Sequence, residues 1–289
     1  MNQYQLEKKQ IIRGFDRAAP AYQQRAVLPR RIRELLLERL DYLQIEPKII
    51  ADMGAGTGAA AHELCRRYPD SGVFALDFSP GMIDQIDIDA ANIKTICADV
   101  LNTPLPDQSV DLIFSNLMLP WCHDLDSVLK EFARLMAPGG ALSFSTFGPD
   151  TLLELRRAWR QVDESEHVHA FFDMHDVGDA LARAGFAEPV MDVERFTLTY
   201  KTLPDLLLDL RHMGSLNALP GRRRSLLGRG QAARLQQAYE SSREHEVLPA
   251  TFEIIFAQAW APVPSATVAL RTGETNFPLS KIGRRGKDE

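Results

Sequence analysis

Asp52-Met53-Gly54-Ala55-Gly56-Thr57-Gly58 follows a short apolar run at 48–53 and opens a helical pattern over 59–68. Glycines at alternate positions let the chain turn tightly and come close to a ligand where a Cβ would collide. The spacing is G-x-G-x-G, not the G-x-G-x-x-G of dinucleotide-binding loops. The helix N-terminus behind it favours a carboxylate as readily as a phosphate. Asp77 ends the next apolar run, 72–78, about 20 residues on, where an acid is placed to accept hydrogen bonds from ribose hydroxyls.

Working outward, the same rhythm continues. Apolar runs at 93–100, 109–117 and 141–147 read as three more strands. A helix from Pro80 and another over 124–137 separate them, the latter opened by Asp124 and closed by Pro138-Gly139-Gly140. Strands alternating with helices imply an α/β fold with a mostly parallel, doubly wound sheet. Helices over 150–162 and 173–184 follow, the second stopped by Gly185, and 190–200 and 251–262 read as a sixth and a seventh strand. Before the glycine loop, Ile32, Leu35, Leu36, Leu37 and Leu40 give an amphipathic helix, with Pro20 and Pro29 expected to break the stretch into pieces. Four parts result: an N-terminal helical segment (1–44), a core (45–200 and 251–264), a helical insertion (201–250) and a polar, aperiodic tail (265–289).

Composition narrows the function. The chain has 289 residues, 45% hydrophobic and 25% charged, which excludes a disordered chain. Cys65, Cys97 and Cys122 form no CxxC pair, so reduced thiols in a cytoplasmic protein are expected, not a disulfide framework or zinc site. There is no signal-peptide pattern and no run of about 18 apolar residues, so no membrane partner is expected. A net charge of −6 argues against nucleic acid. His167, His169 and His175, with Asp173 and Asp176, match no standard ligand spacing, so no metal is expected.

The glycine loop, Asp77 and the segment Cys97-Ala98-Asp99-Val100 together resemble class I S-adenosylmethionine methyltransferases. The resemblance implies a Rossmann-like seven-strand sheet whose last strand is antiparallel. It implies a donor site at Asp52, Gly54, Ala55, Gly56, Gly58, Asp77, Phe78, Met82, Asp99, Val100, Asn116 and Leu117. In it, Asp77 holds the ribose and Asp99 the adenine amine.

A closer resemblance runs from Phe15 to Pro262, to the biotin-pathway methyltransferases that esterify malonyl-[acyl-carrier protein]. It is carried by Phe15-Asp16-Arg17-Ala18-Ala19 with Tyr22, by Ser115-Asn116-Leu117 with Trp121-Cys122, by Leu153-Glu154-Leu155 with Trp159, and by Leu210-Arg211-His212-Met213-Gly214. It places Tyr22 over the donor. Gly148-Pro149-Asp150-Thr151-Leu152 and Ala184-Gly185-Phe186 are also similar to a mitochondrial complex I assembly factor, which implies a protein arginine hydroxylase as the alternative. A methyltransferase for another carboxylate or small molecule is a further one.

Methyl transfer to an ionised carboxylate needs no general base, so the expected pocket is aromatic and dry, with a few polar groups. Tyr22, Trp121 and His123 are the expected lining, with Arg211 and His212 reaching in from the insertion to bind the carboxylate. Between Leu210 and Tyr239 lie six arginines and no acid. Arg222, Arg223, Arg224 and Arg229 from this block are the expected contacts for an acidic acyl-carrier protein, acting on a monomer. A second basic run is Arg25, Arg30, Arg31 and Arg33.

Overall fold

The computed structural model describes residues 6–88, 92–222 and 227–262. Arg223, Arg224 and the tail 265–289 lie outside the described residues. One seven-stranded sheet organises the chain: β1 (Ile49–Met53), β2 (Gly72–Asp77), β3 (Ile93–Cys97), β4 (Val110–Asn116), β5 (Met136–Phe147), β6 (Ala187–Tyr200) and β7 (Leu248–Trp260). Their order is β3-β2-β1-β4-β5-β7-β6. The first five run parallel and β7 runs antiparallel to both neighbours. This is the expected seven-strand α/β architecture. The order reverses between β1 and β4, so a crevice opens at their carboxyl ends, the usual ligand position in such sheets.

The parallel strands are apolar because helices cover both faces. Between them run α3 (Ala59–Arg67), α4 (Pro80–Ile83), α5 (Leu125–Leu135), α6 (Leu153–Trp159) and α7 (Met174–Arg183). On α5, Leu125, Val128, Leu129, Phe132 and Leu135 are buried at helical spacing, and Asp124 caps the helix by accepting from the Ser127 N–H at 3.0 Å. Asp173 caps α7 in the same way, through the Asp176 N–H.

Several boundaries differ from expectation. Pro138-Gly139-Gly140 does not separate α5 from β5 but lies inside the strand. There the β4 partner jumps from Met136 to Ala141. Gly139 has φ +77°, and the Gly140 carbonyl accepts from the Ala261 N–H, so the segment is a bulge that stays hydrogen-bonded. Helix α6 starts at Leu153, not 150, because Leu152 turns at φ +55° and its N–H is taken by the Thr251 carbonyl. Strands β6 and β7 each begin three residues earlier than read.

At the N-terminus, α1 (Lys8–Arg25) passes through Pro20 unbroken. Pro20 is on the solvent side, so the single hydrogen bond it removes is on the wet face. Pro29 lies in the first turn of α2 (Val27–Arg39), where the N–H has no helical partner anyway. The insertion forms α8 (Leu203–His212), with a Thr202/Asp205 capping box, and α9 (Arg229–Glu240). Its two helices separate in role. Helix α9 buries Leu235, Ala238 and Tyr239 near α6, and the Tyr239 hydroxyl donates to the Pro249 carbonyl at 2.9 Å. Helix α8 packs against α1. The turn after α8 is pressed so close that a Cβ on Gly14 would lie 2.8 Å from the Gly214 carbonyl oxygen. One on Gly214 would lie 2.5 Å from the Phe15 ring.

Candidate active site

At the β1/β4 crevice lies a cavity of about 180 Å³. Its floor is the glycine loop and the strand ends. Gly54, Gly56 and Gly58 have φ of +79°, +54° and +79°, a region L side chains rarely adopt. A Cβ on Gly54 would stand 2.5 Å from Met118, whereas one on Gly56 would meet only the Tyr22 ring, at 3.8 Å. The loop backbone at Gly56 is therefore open to the cavity.

Asp77 fixes the loop. Its Oδ2 accepts from the Gly56 N–H and its Oδ1 from the Ser79 N–H, both at 2.9 Å. Burial pushes its pKa up to about 6, against the pull of those N–H donors and with help from Asp16. Asp52 lies behind the loop, 1% exposed, and its Oδ2 has no hydrogen-bond partner. Burial and the charge of Asp77 push Asp52 up to about 7, while Arg33 opposes them. Asp99 caps the 3₁₀ turn Val100–Asn102 through the Leu101 N–H and pairs with Lys8 of α1.

The far wall comes from the end of β4. Asn116 is fixed at both ends of its amide: its Nδ2 donates to the Pro29 carbonyl and its Oδ1 accepts from the Ser145 hydroxyl, each at 3.0 Å. Leu117 sits at φ +54°, a strained conformation for a leucine, held by a hydrogen bond from its N–H to the Ser145 carbonyl. The roof is aromatic. Phe15 stands edge-on to Trp121 with ring centroids 5.2 Å apart, and 6.3 Å from Phe78 and 6.5 Å from Tyr22. Met213 and Ser215 of the insertion close it. Burial and Asp77 push the Tyr22 hydroxyl well above its ordinary pKa, so it stays a donor.

The cavity wall thus brings together Tyr22, Gly54, Gly56, Asp77, Phe78, Met82, Asp99, Val100, Asn116, Leu117, Trp121 and His123. Asp52, Ala55 and Gly58 support the loop from behind and do not line the cavity. The insertion presents a different pair from the one expected. Helix α8 buries Leu203, Leu206 and Leu210, and the turn buries Met213, so that face points inward. Arg211, one residue round the helix from Leu210, is exposed. His212 faces Arg25, its Nε2 3.4 Å from an arginine nitrogen. Arg222 is held in place too, paired with Glu7 at 2.6 Å, and Arg229 is exposed at the start of α9, away from the roof.

The histidine cluster is dispersed. His167 stacks on Trp159 and bonds Asp163, and His175 is exposed on α7. His169 is 8% exposed between Trp121 and Phe171, and burial lowers its pKa to about 4. Of the three free cysteines, Cys97 is exposed. Lys8, Met213 and Ser215 are lining residues that the sequence does not single out, because only the fold brings them to the loop. Among the described residues, no helix is long and apolar enough to cross a membrane.

Residues 51–144 match the family model of a methyltransferase domain. Among solved structures, the fold is similar to the YcgJ protein of Bacillus subtilis (TM-score 0.56, 12% identity, covering 79% of this chain and 98% of that one). It is also similar to a putative methyltransferase of Bacillus halodurans (TM-score 0.54, 15% identity, 80% and 99% covered). In sequence, the chain is 44% identical over 279 residues to the malonyl-[acyl-carrier protein] O-methyltransferase of Methylovorus sp., covering 93% of this chain and 94% of the relative. The enzyme of that name from Halorhodospira halophila is 41% identical over 285 residues, covering 97% of each chain. With identity of this level running from the roof helix through the loop and the insertion to the last strand, the chain belongs to the malonyl-[acyl-carrier protein] O-methyltransferase family.

Proposed function

We propose that the chain transfers the methyl group of S-adenosylmethionine to the free carboxylate of a malonyl thioester borne by acyl-carrier protein. The observation that carries this is the cavity with a buried carboxylate, Asp77, bonded to the glycine loop from the end of β2, and a phenol, Tyr22, beside it. The fit to such a donor is physical. The loop backbone is open at Gly56, a buried Asp52 oxygen is unpaired behind it, and aromatic faces suit a sulfonium cation. Asp77 would hold the ribose and Asp99, with Val100, the adenine. Gly54, Phe78, Met82 and Leu117 would pack around them.

The bound donor supplies an electrophilic methyl carbon. A carboxylate oxygen forms the new C–O bond as the C–S bond breaks, the electron pair stays on sulfur, and no proton moves. The chain's work is therefore positioning and exclusion of water. The Tyr22 hydroxyl, kept protonated, donates to the acceptor carboxylate and aims its second oxygen. Asn116 holds the α2 end against the strand so that the aim is kept. Phe15, Trp121 and Met213 keep water out. The ester product carries no charge where the acid did, which suits it to chain extension on the carrier toward biotin.

Incubation with methyl-labelled donor and malonyl-carrier protein tests the reading. A base-labile labelled ester on the carrier is expected. No ester, beside a control enzyme that makes it, would overturn it.

A further inference from the structure

Two acid-free stretches meet at one edge of the roof. From Arg17 to Arg33 there are five arginines and no acid, and from Leu210 to Arg222 the chain is again free of acid. The first forms the end of α1 and the start of α2, the second the end of α8 and its turn. They touch where Arg25 faces His212 at 3.4 Å with no carboxylate between them. Arg25, Arg30 and Arg211 are exposed, and among the described residues none makes an ion pair. Arg39, Arg67, Arg134 and Arg195, elsewhere in the chain, each hold an acid. On the same helices, Glu34 pairs with Arg31 at 3.6 Å and Asp209 accepts from the Tyr200 hydroxyl at 2.7 Å.

The patch is also next to the chemistry. Tyr22 and Pro29 on the first stretch, and Met213 and Ser215 on the second, line the cavity. Val27, 47% exposed, stands between Arg25 and Arg30 in the sequence and offers an apolar contact inside the basic rim.

We propose that this lip of Arg25, Arg30, Arg211 and His212 around Val27 is the docking surface for an acidic helix of the carrier protein. The proposal rests on the carrier-bound acceptor put forward above. Uncompensated like charges raise the free energy of the unbound surface, and an acidic helix lowers it. Guanidinium groups pair with carboxylates in two-point geometry and also suit the phosphate of the carrier's prosthetic arm. The lip displaces the expected contact at Arg222, whose charge is already taken by Glu7. A protein helix is favoured over nucleic acid because the chain's net charge is −6.

The test uses Arg25→Glu/Arg30→Glu and Arg211→Glu, with Lys130→Glu, at an exposed position of α5, as control. Each is assayed with malonyl-carrier protein and with a malonyl thioester of N-acetylcysteamine, an acceptor without the carrier. For the lip variants, KM for the carrier substrate should rise about tenfold and its salt dependence should flatten. Turnover of the small thioester should not change. An unchanged carrier KM, or an equal loss with both acceptors, would overturn the docking claim. So would duplex DNA binding the wild type as tightly as the carrier does. Direct calorimetric binding of malonyl-carrier protein to the same variants, expected to weaken as KM rises, tests the lip independently. If the wild type esterified neither acceptor, the function would fall while this binding arm still decided the lip.

Discussion

The floor and the roof of the cavity are built on opposite principles. The floor is local: Gly54 to Gly58, Asp77 and Asp99 follow one another at successive strand ends, and each acts through backbone turns and the N–H groups they aim. The roof is assembled from remote pieces: Phe15 and Tyr22 from α1, Trp121 from the end of β4, and Met213 from the insertion. On the proposed reading, such a site would separate recognition of the donor, set by backbone geometry, from recognition of the acceptor, set by side chains that meet only in the folded protein.

Four changes press on that division. The largest effect on binding should come from the floor. Asp77→Ala removes a charged acceptor and frees two loop N–H groups, so donor affinity should fall about 100-fold, on a basis of roughly 1.5–3 kcal/mol for a charge-assisted hydrogen bond. Calorimetric titration with the donor reads it, and a loss smaller than threefold would put the floor's anchor elsewhere. Next is the seam inside the roof. Gly214→Ala adds a methyl 2.5 Å from Phe15 at φ +74°, and should cost about 2–4 kcal/mol from strain and overpacking. Denaturant unfolding gives the cost, and KM for the acceptor should rise more than the donor Kd.

Third, Tyr22→Phe should lower kcat about tenfold, with donor binding nearly unchanged, the effect of one lost hydrogen bond. An equal loss in donor affinity would move Tyr22 from roof to floor. The smallest effect concerns pH. Asp52 and Asp77 both titrate above the ordinary carboxylate value of 3.8 in the folded chain. The native state then binds more protons than the unfolded state between about pH 4 and 7, so these groups make stability fall as pH rises through that window. Asp52→Asn should flatten the fall in thermal unfolding scans. Binding of a cationic donor should release protons below pH 7, readable in buffers of different ionisation enthalpy.

What the sequence made legible follows the same line. The floor could be read because glycine spacing and strand-end acids are local signals, and the mostly parallel, doubly wound sheet followed from strands alternating with helices. The roof could not. Nothing in the periodicity of α8 says which of Leu210, Arg211, His212 and Met213 turns inward. The buried face of the helix decided for Met213 and left Arg211 in solvent. Lys8 carries no motif, and it matters only because α1 begins beside Asp99. Pro138-Gly139-Gly140 reads as a helix stop, but α5 has already ended at Leu135, and pairing with Ala261 keeps the segment inside β5.

The tight seat between Gly14 and Gly214 also bears on how the chain acquires its site. Contacts so far apart in sequence close late, because the intervening loop must be ordered first. During synthesis, α1 emerges near the start; one surface that receives it, α4, follows early, and the other, the α8 turn, comes much later. The donor loop is complete well before then. A nascent chain therefore lacks the Met213 and Ser215 part of its ceiling, and completes the cavity only once more than two-thirds of its length has been synthesised.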